Sequence, residues 1–151
     1  MKIIITESQY KKLMENEEQE VLHIPSLKYF DYDWDFLQKF LESDGNPPFS
    51  IEDNLNLVGL KVQSLGNLVS VEGDIYAYDT PLKSLGSLTS VGGSLFLNNT
   101  QIESIGNLSF VGGNLILEGT PMAKKYSSSH SREIKSKQIR QTVQINGRIL
   151  F

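Results

Sequence analysis

From Asn54 to Thr120 the apolar and polar positions recur with a period of twenty residues. In register the chain reads NLNLVGLKVQSLGNLVSVEG, DIYAYDTPLKSLGSLTSVGG, SLFLNNTQIESIGNLSFVGG and then NLILEGTPM, where the match lapses. A unit this short cannot enclose an apolar face alone, so it must lie against copies of itself. Each unit contains an apolar-x-apolar tripeptide: Leu55/Leu57, Ile75/Ala77, Leu95/Leu97 and Leu115/Leu117. That alternation predicts a short strand with one buried face, and the copies together predict a narrow parallel sheet with strands about 4.8 Å apart. Val62, Leu82, Ile102 and Met122 are expected inward, as are Leu65/Leu85/Ile105 and Leu68/Leu88/Leu108. Thr80, Thr100 and Thr120 follow each strand, placed to bond the backbone as the chain turns away. The glycines at 66, 86 and 106 predict bends, and Gly73, Gly92-Gly93 and Gly112-Gly113 predict turns into the next strand.

The flanks carry different patterns. Lys2–Ile5 has the β-branched content of a strand. Thr6 and Gln9 have capping-box spacing before Tyr10, Leu13, Met14 and Val21 at helical positions. Beyond Pro25 a second helix is expected from Asp31 or Asp33, with Trp34, Leu37, Phe40 and Leu41 on its buried side. It would cover the open first unit. Phe49–Asp53 aligns with Val69–Gly73, as half a unit. After Met122, Ser129 or Ser131 would cap a helix carrying Ile134, Ile139 and Val143. Gln144–Phe151 then aligns with Ser70–Ala77 as a closing strand. The organisation expected is one domain: a capping region over 1–53, repeats over 54–122 and a C-terminal cap over 123–151.

The segment Leu95-Phe96-Leu97-Asn98-Asn99-Thr100-Gln101-Ile102 fits L-x-L-x-x-T-x-I and resembles the leucine-rich repeat family, where Asn usually takes the Thr position. The resemblance implies an α/β repeat, a right-handed β-solenoid of about four to five coils with helical caps. The Thr and the glycines before each strand depart from the family pattern, which leaves a flatter β-solenoid of the same coils as the alternative. The opening MKIIITESQYKKLM resembles the start of many proteins encoded by tailed bacteriophages.

The net charge of −4 points to no polyanionic or membrane partner. There is no cysteine, hence no disulfide or thiolate chemistry. Three consecutive isoleucines are too few for a signal-peptide core or a membrane span, so a cytoplasmic protein, in a host cell or a virion, is expected. Charge is separated along the chain: residues 1–53 hold twelve acidic and five basic side chains, residues 121–151 one and seven.

With Leu95 and Leu97 inward, the residue between them faces out. That rank holds Asn56, Tyr76, Phe96, Ile116 and Leu150; the next holds Val58, Tyr78, Asn98 and Glu118. An apolar stripe with a polar margin suits a partner protein or a second copy, although aromatics also pair well along a ladder for structural reasons. Lys124, Lys125, Arg132, Lys135, Lys137 and Arg140 form a basic C-terminal set, with Arg148 beyond. It suggests phosphate contacts, but lacks interleaved aromatics and reads first as a solvated cap. The acidic head and basic tail also permit head-to-tail stacking of copies. His23 and His130 have no metal-ligand spacing, and the Ser64/Ser84/Ser104 column has no base beside it. The paired glycines lack the Lys-Ser/Thr of a nucleotide loop. The expectation is a non-enzymatic interaction scaffold without cofactor or metal. A self-associating or virion-decorating protein is the alternative, and a nucleic-acid accessory the second.

Overall fold

The computed structural model describes residues 6–9, 20–126 and 128–151. Its strands are β1 (Leu22–Ile24), β2 (Phe49–Ile51), β3 (Leu55–Asn56), β4 (Leu68–Val71), β5 (Ile75–Tyr76), β6 (Ser90–Val91), β7 (Leu95–Phe96), β8 (Phe110–Val111), β9 (Leu115–Ile116), β10 (Gln144–Ile145) and β11 (Ile149–Leu150). Helices α1 (Trp34–Ser43), α2 (Pro121–Lys124) and α3 (Ser129–Thr142) accompany them. The strands form two sheets, not the single one expected. One has six strands in the order β1-β2-β4-β6-β8-β10, the other five in the order β11-β9-β7-β5-β3. Every neighbouring pair is parallel.

Each unit gives one strand to each sheet, and partners lie twenty residues apart: Val71 beside Val91 and Val111, Ile75 beside Leu95 and Leu115. The six-stranded sheet arises because Val71, Val91 and Val111, between Ser or Phe and the glycines, are also fully buried. At the end the step lengthens to 34 residues, since α3 intervenes before Ile145 joins Val111. The closing alignment holds, with Ile149 beside Leu115 and Leu150 beside Ile116. At the other end Phe49 lies opposite Leu68 rather than Val69, where the register slips by one residue. The inward columns form one apolar cluster.

Polar side chains tie one unit to the next. Thr80, Thr100 and Thr120 are buried, each hydroxyl donating to the carbonyl three residues back at 2.6–2.7 Å. Ser64, Ser84 and Ser104 accept from the amides of Gly66, Gly86 and Gly106 and so hold the turns. A further ladder precedes the five-stranded sheet. The Asn54 side chain accepts from Asp74 N, Asp74 from Ser94 N, Ser94 from Asn114 N and Asn114 from Arg148 N, at 2.6–2.9 Å. The chain bends at the glycines before each strand, as expected, but this ladder gives a different reason for glycine there. Gly73, Gly93, Gly113 and Gly147 have no positive φ. They are glycine because a Cβ would meet the Asn54, Asp74, Ser94 or Asn114 side chain.

Asp33 is the cap of α1, accepting from Phe36 N at 3.0 Å. Trp34, Leu37 and Leu41 are buried, with Trp34 6.1 Å from Phe49. Phe40, expected on that side, is 43% exposed and packs on Phe30, 5.3 Å away. Phe36 and Phe40, four residues apart, form their own stripe beside the buried one. Ser128 caps α3 in a reciprocal pair with Ser131, in place of the Ser129 or Ser131 cap expected. Ile139 and Val143 are buried as expected, whereas Ile134 is 46% exposed. Thr6 and Gln9 make both bonds of a capping box. The strand at Lys2–Ile5 and the helix positions Tyr10, Leu13 and Met14 lie outside the described residues.

Candidate protein-binding face

The outer face of the five-stranded sheet presents the middle residue of each strand, because inward positions alternate with it. Along this rank Asn56 is exposed, and Tyr76 and Phe96 are half-buried. The two rings are stacked, with centroids 5.0 Å apart and planes 11° apart. Stacking along the ladder uses ring faces against each other and leaves ring rims outward. Ile116 departs from the expected exposed stripe. It sits between Phe96 and Leu150 in the ladder, and only 8% of it is accessible. Leu150, on the last strand, is 44% exposed. The accessible surface is therefore an aromatic pair and, beyond Ile116, a separate leucine.

Asp74 fixes the pair. Its Oδ2 accepts from the Tyr76 hydroxyl at 2.9 Å while its Oδ1 accepts from Ser94 N. The hydrogen bond to Asp74, with lesser contributions from desolvation and the Asp74 charge, raises the Tyr76 pKa above the ordinary tyrosine value. In the next rank Tyr78 and Asn98 are half-buried, and Val58 and Glu118 exposed. Beyond them Asp79 and Asn99 have left-handed backbones with φ 56° and 58°, and the Asn99 amide donates to Asp79 Oδ1 at 2.8 Å. The signal for this turn was present in Gly59 and Gly119, which hold the same column at positive φ.

The basic set is not one free surface. Arg140 donates to the carbonyls of Ile145 and Gly147 at 2.6 and 2.8 Å, bracing the turn into β11. Arg132 donates to the Tyr126 carbonyl, Lys135 lies 5.6 Å from the Tyr126 ring, and Lys137 pairs with Glu133 at 3.0 Å. Lys124 and Lys125 are exposed. Sequence reasoning also missed the aromatic flank of the N-terminal cap. Phe30 lies 5.7 Å from Phe36 and 5.3 Å from Phe40, and Tyr29, Tyr32, Phe36 and Phe40 are all exposed. Six aromatics within residues 29–40 exceed what one buried helix face can take, which was the available clue.

His23 Nδ1 lies 2.7 Å from Ser50 Oγ across β1 and β2, a contact not apparent from their separation in sequence. Among the described residues no group of three or more His, Cys, Asp or Glu side chains is arranged to hold a metal ion. No described helix is long and apolar enough to cross a membrane. Comparison with protein-family models, curated proteins and solved structures found no match.

Proposed function

We propose that the chain is a leucine-rich-repeat-type solenoid and a non-enzymatic recognition module, binding another protein through the outer face of its five-stranded sheet. The stacked, partly exposed Tyr76–Phe96 pair carries this reading. The twenty-residue register and the buried Thr column support the solenoid. Asp74 holds Tyr76 before any partner arrives, so little side-chain entropy is lost on binding. A whole aromatic side chain removed from water contributes about 1.5–3 kcal/mol, and rings already largely buried leave at most about a third of that for a partner. Tyr78, Asn98, Glu118 and Leu150 supply the surrounding contacts.

The test is affinity capture with the wild-type protein, Tyr76→Ser/Phe96→Ser, and Lys124→Glu/Lys125→Glu, each first checked for cooperative melting. The reading predicts a partner held by the wild type and the lysine variant and bound at least about tenfold more weakly by the aromatic variant, a loss near 1.4 kcal/mol. A partner held equally by all three would refute it.

A further inference from the structure

The stack of coils ends differently on its two sheets. Along the six-stranded sheet each coil donates amides to the one before it: Gly112 N to Val91 O, Asn146 N to Val111 O, Gly147 N to Gly113 O. The next carbonyls in this series, Ile145 O and Gly147 O, are taken by the Arg140 guanidinium, which closes that side. The five-stranded sheet ends on β11. Leu115 N and Leu117 N donate to Arg148 O and Leu150 O, so the Ile149 N–H and C=O and the Phe151 N–H face away from β9. Among the described residues nothing bonds these groups. The side chains are left open in the same place. Leu55, Ile75, Leu95 and Leu115 are fully buried, as are Leu57, Ala77, Leu97 and Leu117, but Ile149 and Phe151, which continue these columns, are only partly covered. Over them lies a cleft of about 440 Å³, walled by one face of α3 with Ser129, Arg132, Glu133 and Ser136. Its charges, Glu118 and Glu133 against Arg132, are of both signs, which suits a neutral main chain with its own donors and acceptors better than an ion.

We infer that this edge takes an extended segment of a partner protein as one more parallel strand, seated between β11 and α3. Its main chain bonds Ile149 and Phe151 as Arg148 and Leu150 bond Leu115 and Leu117, the mode by which an open sheet edge recognises a peptide. Its side chains follow an apolar-x-apolar pattern, because the first and third continue the columns that end on Ile149 and Phe151. A second copy does not offer the far edge of its own five-stranded sheet as this strand. At that end Leu55 and Leu57 are fully buried, in the cluster that holds Leu27, Trp34 and Leu37 of the cap. The cleft borders the proposed sheet face and shares Glu118 and Leu150 with it, but neither Tyr76 nor Phe96 lines it. The inference therefore does not rest on the aromatic pair.

The probe is a labelled peptide copying residues 93–100, Gly-Ser-Leu-Phe-Leu-Asn-Asn-Thr, which carries the required pattern. By fluorescence anisotropy it should bind the wild type saturably, and the amides of Ile149 and Phe151 should then exchange hydrogen more slowly. N-methylation of its phenylalanine, whose N–H donates to the Ile149 C=O, should weaken binding at least about tenfold. N-methylation of its first leucine, whose N–H points away from β11, should not. Ser136→Trp, which fills the cleft from the α3 wall, should abolish binding while still melting cooperatively. Tyr76→Ser/Phe96→Ser should bind the peptide like the wild type, so failure of this edge and failure of the aromatic face are read separately. The absence of saturable binding at roughly millimolar peptide would overturn the inference. So would equal binding of the two methylated peptides, or unchanged exchange at Ile149 and Phe151. A wild type that self-associates and is dispersed by Ser136→Trp would put a second copy in the cleft and overturn the separate partner.

Discussion

At Gly93 an added Cβ would meet the carboxylate and backbone nitrogen of Asp74; at Gly106 it would meet nothing within 4 Å, but the backbone there has φ +56°. Two different costs follow. Gly93→Ala is a steric substitution, expected to destabilise by about 1–3 kcal/mol as overpacking does. Gly106→Ala carries only the left-handed backbone penalty, about 1–2 kcal/mol. Urea unfolding in an Asp74→Ala background separates them: part of the Gly93→Ala cost should vanish there, while the Gly106→Ala cost should be unchanged. Purely additive costs at Gly93 would contradict the ladder account. At this scale the Thr hydroxyls were legible, because a buried hydroxyl beside a turn has few acceptors available. The glycine roles were not, since a glycine's absent side chain does not reveal whether backbone conformation or a neighbour excludes it.

Strands of two residues are nearly invisible as elements, which is why one of the two sheets escaped the sequence. Leu95–Leu97 shows alternation over three positions, whereas Ser90-Val91 offers a single inward residue before the glycines. What betrays such a strand is only the column, Val71 above Val91 above Val111. The helical caps were legible in position but less so in facing: Phe40 and Ile134 lie on exposed flanks because other side chains already fill the buried stripe. The closing element depends on Arg140, whose guanidinium satisfies two carbonyls around β10 and β11. Arg140→Ala should cost about 1–3 kcal/mol, the range for charged hydrogen bonds. It should also speed amide hydrogen exchange at Leu115 and Leu117, whose N–H groups donate to Arg148 and Leu150. Lys137→Ala, which breaks only the exposed pair with Glu133, serves as the control and should leave both amides unchanged. Equal exchange in the two variants would remove the bracing role.

Over the whole molecule the periodic core and the side-chain ladders make each unit's surroundings nearly the same as its neighbour's. Asp74 meets Ser94 as Ser94 meets Asn114, and Ile75, Leu95 and Leu115 share one buried column. A protein built this way gains stability from nearest-neighbour contacts and should accept another unit of the same length. Duplicating residues 74–93 in tandem sets a second Asp74 amide where Ser94 N now donates to the Asp74 carboxylate, and restores every column above it. Duplicating only residues 74–83 places inward residues opposite turns. Urea unfolding of the two insertion variants tests the twenty-residue register most directly. The full-unit variant should be soluble and unfold in one cooperative transition with a larger m-value than the wild type, and the half-unit variant should lose that cooperativity. Equal disruption by both insertions would contradict the register on which the core and both sheets depend.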